Sequence, residues 1–188
     1  PPDEDTPRDN YFGRAMMYGS VLSGALAGHV YGTAAYDVTS TGEPAGWRPH
    51  IWTALRYQSG AQMRHLREFV LREADRYQAL VPASGDLQPR GIPGALADGL
   101  DGWSFLMRTP ERDFALAYFE NKALKPRLQG FTPGANYRWS WFDPREGVWH
   151  APLLLEADSS GAIAAPAFPA GGGQAEGDIA AKLIAVRR

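Results

Sequence analysis

The sequence changes character near residue 82, and that change limits what the chain can fold into more than any other feature. Before it, apolar residues recur at helical spacing; after it, short aromatic or β-branched runs alternate with Pro and Gly, the pattern of strands broken by turns. Two units are expected, residues 1–82 and 83–188, with the boundary between Leu80 and Pro93. The first reads as α/β and the second as an antiparallel β-sandwich, so the expected fold class is α+β.

The clearest predicted helix runs from Ser59 to Tyr77, with Ser59 as N-cap and Gln62 three residues on, a capping-box spacing. Met63, Leu66, Phe69, Val70, Ala74 and Tyr77 form its apolar face, and Glu68 and Arg72 are placed for an i,i+4 pair. An earlier helix is predicted over Asn10–Leu26, capped by Asp9. It is rich in small residues (Gly13, Gly19, Ser20, Ser23, Gly24, Ala25). Each interior Gly weakens a helix by roughly 1 kcal/mol relative to Ala, so close packing against a sheet is expected to offset the loss. Ala27–Gly32 reads as a short buried strand and Thr33–Arg56 as a long loop.

Beyond Pro93 seven short strands are predicted: Trp103–Arg108, Phe114–Glu120, Lys125–Gln129, Tyr137–Phe142, Val148–Ala157, Ala162–Phe168 and Ile179–Val186. Tyr137, Trp139 and Trp141 share a face by period-two alternation, and Asp143-Pro-Arg-Glu-Gly147 supplies the next turn. The glycine-rich stretch Ala170–Gly177 is expected to be a mobile loop.

Composition removes several function classes. The net charge is −2 and neither unit carries a basic excess, which argues against nucleic acid as a partner. With no cysteine there is no disulfide scaffold, thiolate metal site or Cys nucleophile. The most apolar stretch, Ala162–Ala170, contains two prolines and is far short of the ~20 residues of a membrane helix. The chain opens Pro-Pro-Asp-Glu-Asp, which reads as a cut end, so any leader would lie upstream. His29, His50, His65 and His150 lack metal-ligand spacing, and no nucleophile elbow, phosphate-binding loop or dinucleotide fingerprint occurs. Neither metal nor cofactor is expected.

The segment Tyr31–Trp52 concentrates Tyr31, Tyr36, Trp47 and Trp52 with His50, Asp37, Glu43 and Arg48, and His29 precedes it. Aromatic faces in a polar loop after a strand suit the C–H faces of sugar rings, with polar neighbours for the hydroxyls. The same rings could instead fill core beneath the loop. Asp37 and Glu43 could pair as glycosidase carboxylates, although two acids in a solvated loop are commonplace. Trp139, Trp141 and Trp149 are explained by packing in the sandwich before any ligand platform is needed.

Gly24-Ala-Leu-Ala-Gly28-His29-Val-Tyr31-Gly32, the Trp-bearing loop, Ser59-Gly60-Ala61-Gln62-Met63 and Leu80-Val-Pro82 together resemble the end of the (β/α)8 barrel of apiosidase-like glycoside hydrolases. Phe114-Ala-Leu-Ala-Tyr118, Trp141-Phe-Asp-Pro-Arg145-x-Gly147 and the final strand Ile179–Val186 resemble the C-terminal β-sandwich of those proteins, catalogued as a collagen-binding domain. The resemblance covers roughly residues 10 to 186. It implies that Asn10–Leu26 is the seventh barrel helix, Ala27–Gly32 the eighth strand and Ser59–Tyr77 the closing helix of a TIM barrel.

In such bacterial-type hydrolases the acid/base and the nucleophilic Glu follow strands four and seven, so the resemblance places both upstream of Pro1. Their Glu-containing stretch before helix seven has no counterpart here, and no catalytic residue is assigned. His29 and Tyr31 match the strand-eight motif and, with Trp47 and Trp52, are the expected substrate-binding residues. The chain is expected to be the C-terminal fragment of a retaining, two-carboxylate glycosidase acting on oligo- or polysaccharide, secreted or periplasmic and inactive alone. Its sandwich would buttress the upstream barrel; the alternative is a non-catalytic module binding polysaccharide or an extracellular matrix protein. Cut from that barrel, the helices of the first 80 residues lose the closed sheet on which they would bury their apolar faces, so this stretch alone is expected to be poorly ordered.

Overall fold

The computed structural model describes residues 5–28, 50–91, 101–169 and 175–186. It combines α-helices with two antiparallel sheets. Three helices come first: α1 (Pro7–Leu22), α2 (Ile51–Ala54) and α3 (Gln58–Leu71). Ten strands follow: β1 (Val81–Pro82), β2 (Leu87–Gln88), β3 (Ser104–Arg108), β4 (Phe114–Phe119), β5 (Arg127–Leu128), β6 (Asn136–Asp143), β7 (Val148–Trp149), β8 (Leu153–Glu156), β9 (Ile163–Ala164) and β10 (Ile179–Ala185). The larger sheet runs β1-β3-β4-β10-β6-β7, with β8 also pairing β6; the smaller is β2-β5-β9. The last described strand, β10, is therefore inserted between β4 and β6, with Leu183 opposite both Ala115 and Trp139.

Alternation along the central strands feeds two cores. Ala115, Ala117 and Phe119 of β4, Tyr137, Trp139 and Trp141 of β6 and Ala181 and Leu183 of β10 point one way. They pack with Leu87, Leu128 and Ile163 of the smaller sheet. Phe114, Leu116, Tyr118, Phe142 and Ala180 point the other way and meet Met17, Tyr18, Val21 and Leu22 of α1 and Leu66, Phe69 and Val70 of α3. All six residues of β4 are buried because both its faces are covered, which is why Phe114–Phe119 is a continuous apolar run. The helix-side core joins residues on both sides of position 82. The faces expected to lack a partner have found one in the antiparallel sheet: Tyr18 stacks on Tyr118 at 4.9 Å between ring centroids, and Phe69 on Phe142 at 5.4 Å.

The helix ends differ from the sequence prediction for local reasons. Thr6, not Asp9, caps α1: its hydroxyl oxygen accepts the Asp9 backbone N–H at 3.1 Å, and Pro7 occupies the first turn, where no N–H is needed. The helix stops at Leu22, before Gly24 with φ 114°. Its glycines permit close approach. A Cβ on Gly13 would stand 3.1 Å from the Ser59 Cβ of α3, and one on Gly19 would stand 3.3 Å from the Phe105 ring of β3.

No capping box forms at Ser59. Helix α3 begins one residue earlier, and its free N–H groups are met from outside: Gln58 N–H donates to Asp5 and Ser59 N–H to Asn10. It also ends early, at Leu71. Ala74 adopts φ 53° and a 3₁₀ turn, Ala74–Ala79, follows, held to the sheet by Glu73–Lys182 and Arg76–Asp113 ion pairs. The expected Glu68–Arg72 pair is present at 2.9 Å on the exposed face.

All seven predicted strands have a counterpart, two of them reshaped by proline. Val148–Ala157 divides into β7 and β8 around Pro152, and Ala162–Phe168 shrinks to β9 ahead of Pro166. The two-residue strands β1 and β2 were not predicted. Of the strand expected at Ala27–Gly32, Ala27 lies in a turn and Gly28 has φ 131°; its remainder, most of the loop Thr33–Arg56 and residues 170–174 lie outside the described residues.

Candidate functional site

His29, Tyr31 and Trp47, expected to bind substrate, lie outside the described residues, as do Asp37 and Glu43. Trp52 is described: it sits on α2 and is 64% exposed. Trp139 and Trp141 belong to the core between the sheets, so they offer no platform to a ligand. Trp149 packs on Phe69 and Phe142 on the helix side. His65 is held by the backbone carbonyl of Pro144 at 3.0 Å.

Buried charge is organised where α1, α3 and the large sheet meet. Asp178, 1% exposed and just before β10, accepts two hydrogen bonds from Arg14: Nε to Oδ2 at 2.9 Å and Nη2 to Oδ1 at 2.8 Å. The Tyr118 hydroxyl of β4 donates to the same carboxylate at 3.1 Å. Arg14 Nη1 donates to Gln62 Oε1 of α3, and Gln62 Nε2 donates to the Arg145 carbonyl in the β6–β7 turn. Burial opposes the charge on Arg14, but Asp178 outweighs it and raises the guanidinium pKa above its ordinary value. Burial and then Asp178 push the Tyr118 hydroxyl up. No proton is easily exchanged here and no nucleophile is presented. Chemically the cluster is a clamp that joins two helices to a sheet.

The turn below the clamp follows from its sequence. Asp143 accepts the Arg145 backbone N–H and pairs with its guanidinium, and Gly147, at φ 70°, closes the turn by donating to the Asp143 carbonyl. A Cβ on Gly147 would lie 2.6 Å from the His65 ring. Glycine is thus required both by conformation and by the closeness of α3.

A second polar feature lies on the same helix side, past the end of β4. Glu120 is 3% exposed and lines a groove of about 450 Å³ with Trp103, Phe105 and Arg90 on one wall and Gly19 and Ser20 of α1 on the other. Its Oε2 accepts the Trp103 backbone N–H at 3.0 Å; no other hydrogen bond to this carboxyl is made among the described residues. Burial raises the Glu120 pKa to about 7, against the Trp103 N–H, which lowers it, and with Asp101 and Asp178 adding to the rise. Burial and the Glu120 and Asp101 charges likewise push the neighbouring Tyr11 hydroxyl up. The sequence reading assigned no role to Glu120 or Trp103. The available signal was an acid ending the otherwise apolar run Phe114–Glu120, opposite a Trp that alternation places on the helix side.

No family model matches the sequence, and no curated protein does. Among solved structures, the chain is similar to one described as a glycoside hydrolase, at 16% identity and a TM-score of 0.64, over 93% of this chain and 36% of that one. It is also similar to a glycoside hydrolase family 5 structure from Bacteroides vulgatus ATCC 8482, at 17% identity and a TM-score of 0.68, again over 93% and 36%. The chain thus spans 36% of the length of either structure and shares the fold of that part.

Proposed function

We propose that this chain is the C-terminal part of a carbohydrate-active glycoside hydrolase, in which residues 1–82 end a (β/α)8 barrel and residues 83–188 form a sandwich that buttresses it. One observation carries the reading. Helices α1 and α3, which the resemblance assigns to the barrel, lay their apolar faces on the large sheet and are fixed there by the buried Arg14–Asp178 pair. An arrangement in which the sheet covers the barrel's closing helices gives the C-terminal domain a mechanical role. The likeness to part of two glycoside hydrolase structures supports it.

In the complete protein the two carboxylates of a retaining mechanism would come from upstream. One would protonate the leaving oxygen while the other formed the glycosyl-enzyme that water then resolves. The substrate would be an oligo- or polysaccharide, bound in part by His29, Tyr31, Trp47 and Trp52, and the protein would act outside the cytoplasm.

The test is a comparison of two proteins. The 188-residue chain should give no turnover of aryl glycosides, and a version extended upstream by the ~250 residues of a typical barrel should hydrolyse at least one. Turnover by the short chain, or an extension without a strand-terminal pair of Glu residues, would refute the reading.

A further inference from the structure

We infer that the groove between α1 and the β3–β4 end of the large sheet is a binding site for a neutral, polyhydroxylated ligand of sugar-ring size, with Glu120 as its hydrogen-bonding floor and Trp103 as its apolar wall. No hydrolase activity is needed for this site, because it is built from residues of this chain alone.

Glu120 has hydrogen-bonding capacity beyond its one described partner. Glu120 is almost fully buried, yet within the described residues it accepts only the Trp103 backbone N–H. A carboxyl carries two oxygens and about four acceptor positions, or a donor when protonated, more than the single Trp103 N–H takes up. Satisfying one N–H would require no acid. The remaining capacity is at the groove, whose volume of about 450 Å³ falls in the range of small-molecule sites.

The walls decide the ligand's chemistry. Trp103 and Phe105 supply apolar ring surface and Ser20 supplies a hydroxyl. Ala15 and Gly19 put no bulky side chain of α1 into the groove, and Gly19 lets the helix pack directly on the Phe105 ring. Arg90, whose guanidinium stands 5.5 Å from the Trp103 ring centroid, puts a positive charge at the groove beside the Glu120 carboxyl, so the lining favours neither sign of ligand charge outright. An anionic ligand is disfavoured by the Glu120 carboxyl that lines the groove. A neutral ring with hydroxyls at its edge and C–H groups on its face matches both the carboxyl and the aromatic surface.

The test titrates the full 188-residue chain with cellohexaose, xylohexaose, maltohexaose and arabinohexaose while following the Trp103 indole N–H by NMR. At least one should give a saturable shift, with Kd of about 1 mM or tighter. Ser20→Phe, which fills the groove from the α1 side, should abolish that shift while leaving the melting temperature unchanged. Glu120→Ala should weaken binding by about tenfold or more; should that variant fail to fold, Ser20→Phe carries the test. No saturable shift with any of the four sugars, undiminished binding by Ser20→Phe, or a response to tetramethylammonium alone would overturn the inference.

Discussion

Replacing Arg14 by Met keeps a side chain of similar length and removes the charge. Three hydrogen bonds disappear, two to Asp178 and one to Gln62, at 2.9, 2.8 and 3.0 Å. Asp178, 1% exposed, keeps only the Tyr118 hydroxyl among the hydrogen bonds described for its carboxylate. Breaking a buried pair from one side typically destabilises by about 3–5 kcal/mol, because the surviving charge is left without compensation. Against the roughly 5–15 kcal/mol of a typical domain, that loss would bring the folded state near its limit at 37 °C. Urea denaturation followed by far-UV circular dichroism should show the midpoint falling with an unchanged slope. Adding Asp178→Leu to Arg14→Met should recover most of the loss, since an apolar pair of similar volume replaces a buried ion pair at little net cost. If Arg14→Met costs less than about 1 kcal/mol, or the double variant is no better than the single, the clamp does not hold the helices to the sheet.

Gly147→Ala should destabilise by about 1–3 kcal/mol, from the strained positive φ and from the displacement of His65, seen as a lower urea midpoint. Glu120 has a folded-state pKa raised from 4.5 to about 7, so the folded chain holds a proton that the unfolded chain releases. Stability should therefore fall as pH rises between these values, by up to roughly 3 kcal/mol, and Glu120→Gln should flatten that part of the profile; a parental slope retained in the variant would assign it to other groups. Trp52→Ala should change stability by no more than about 0.5 kcal/mol, because the ring is 64% exposed, and a larger loss on thermal melting would show that it packs on something.

How much could be read from residues alone depended on whether the signal was periodic. Alternation in Tyr137–Phe142 and the apolar run Phe114–Glu120 identified strands β6 and β4 because burial of one or both faces leaves a direct mark on the sequence. The density of small residues in α1 correctly implied close packing against a sheet, but not which one: the partner is antiparallel and lies C-terminal to the helix, a long-range choice with no local signature. The Ser59–Gln62 spacing misled because Asp5, just before α1, and Asn10, within it, meet the α3 amides, and Gln62 is turned to Arg14 and Arg145. Arg14 and Asp178 stand 164 residues apart in sequence, so nothing local marks them as a pair. Ala74 at positive φ breaks a helix that its residue type favours, which shows tertiary anchoring by Glu73 and Arg76 overriding propensity.

The large sheet is expected to hold α1 and α3 as one cooperative structure. Native-state hydrogen exchange on the 188-residue chain measures this directly. Amides of α1 from Arg14 to Leu22 and of α3 from Leu66 to Val70 should open with the same free energy as those of β4, β6 and β10, and Arg14→Met should lower the protection of both helices together. Helix amides that exchange freely while the central strands stay protected would contradict it.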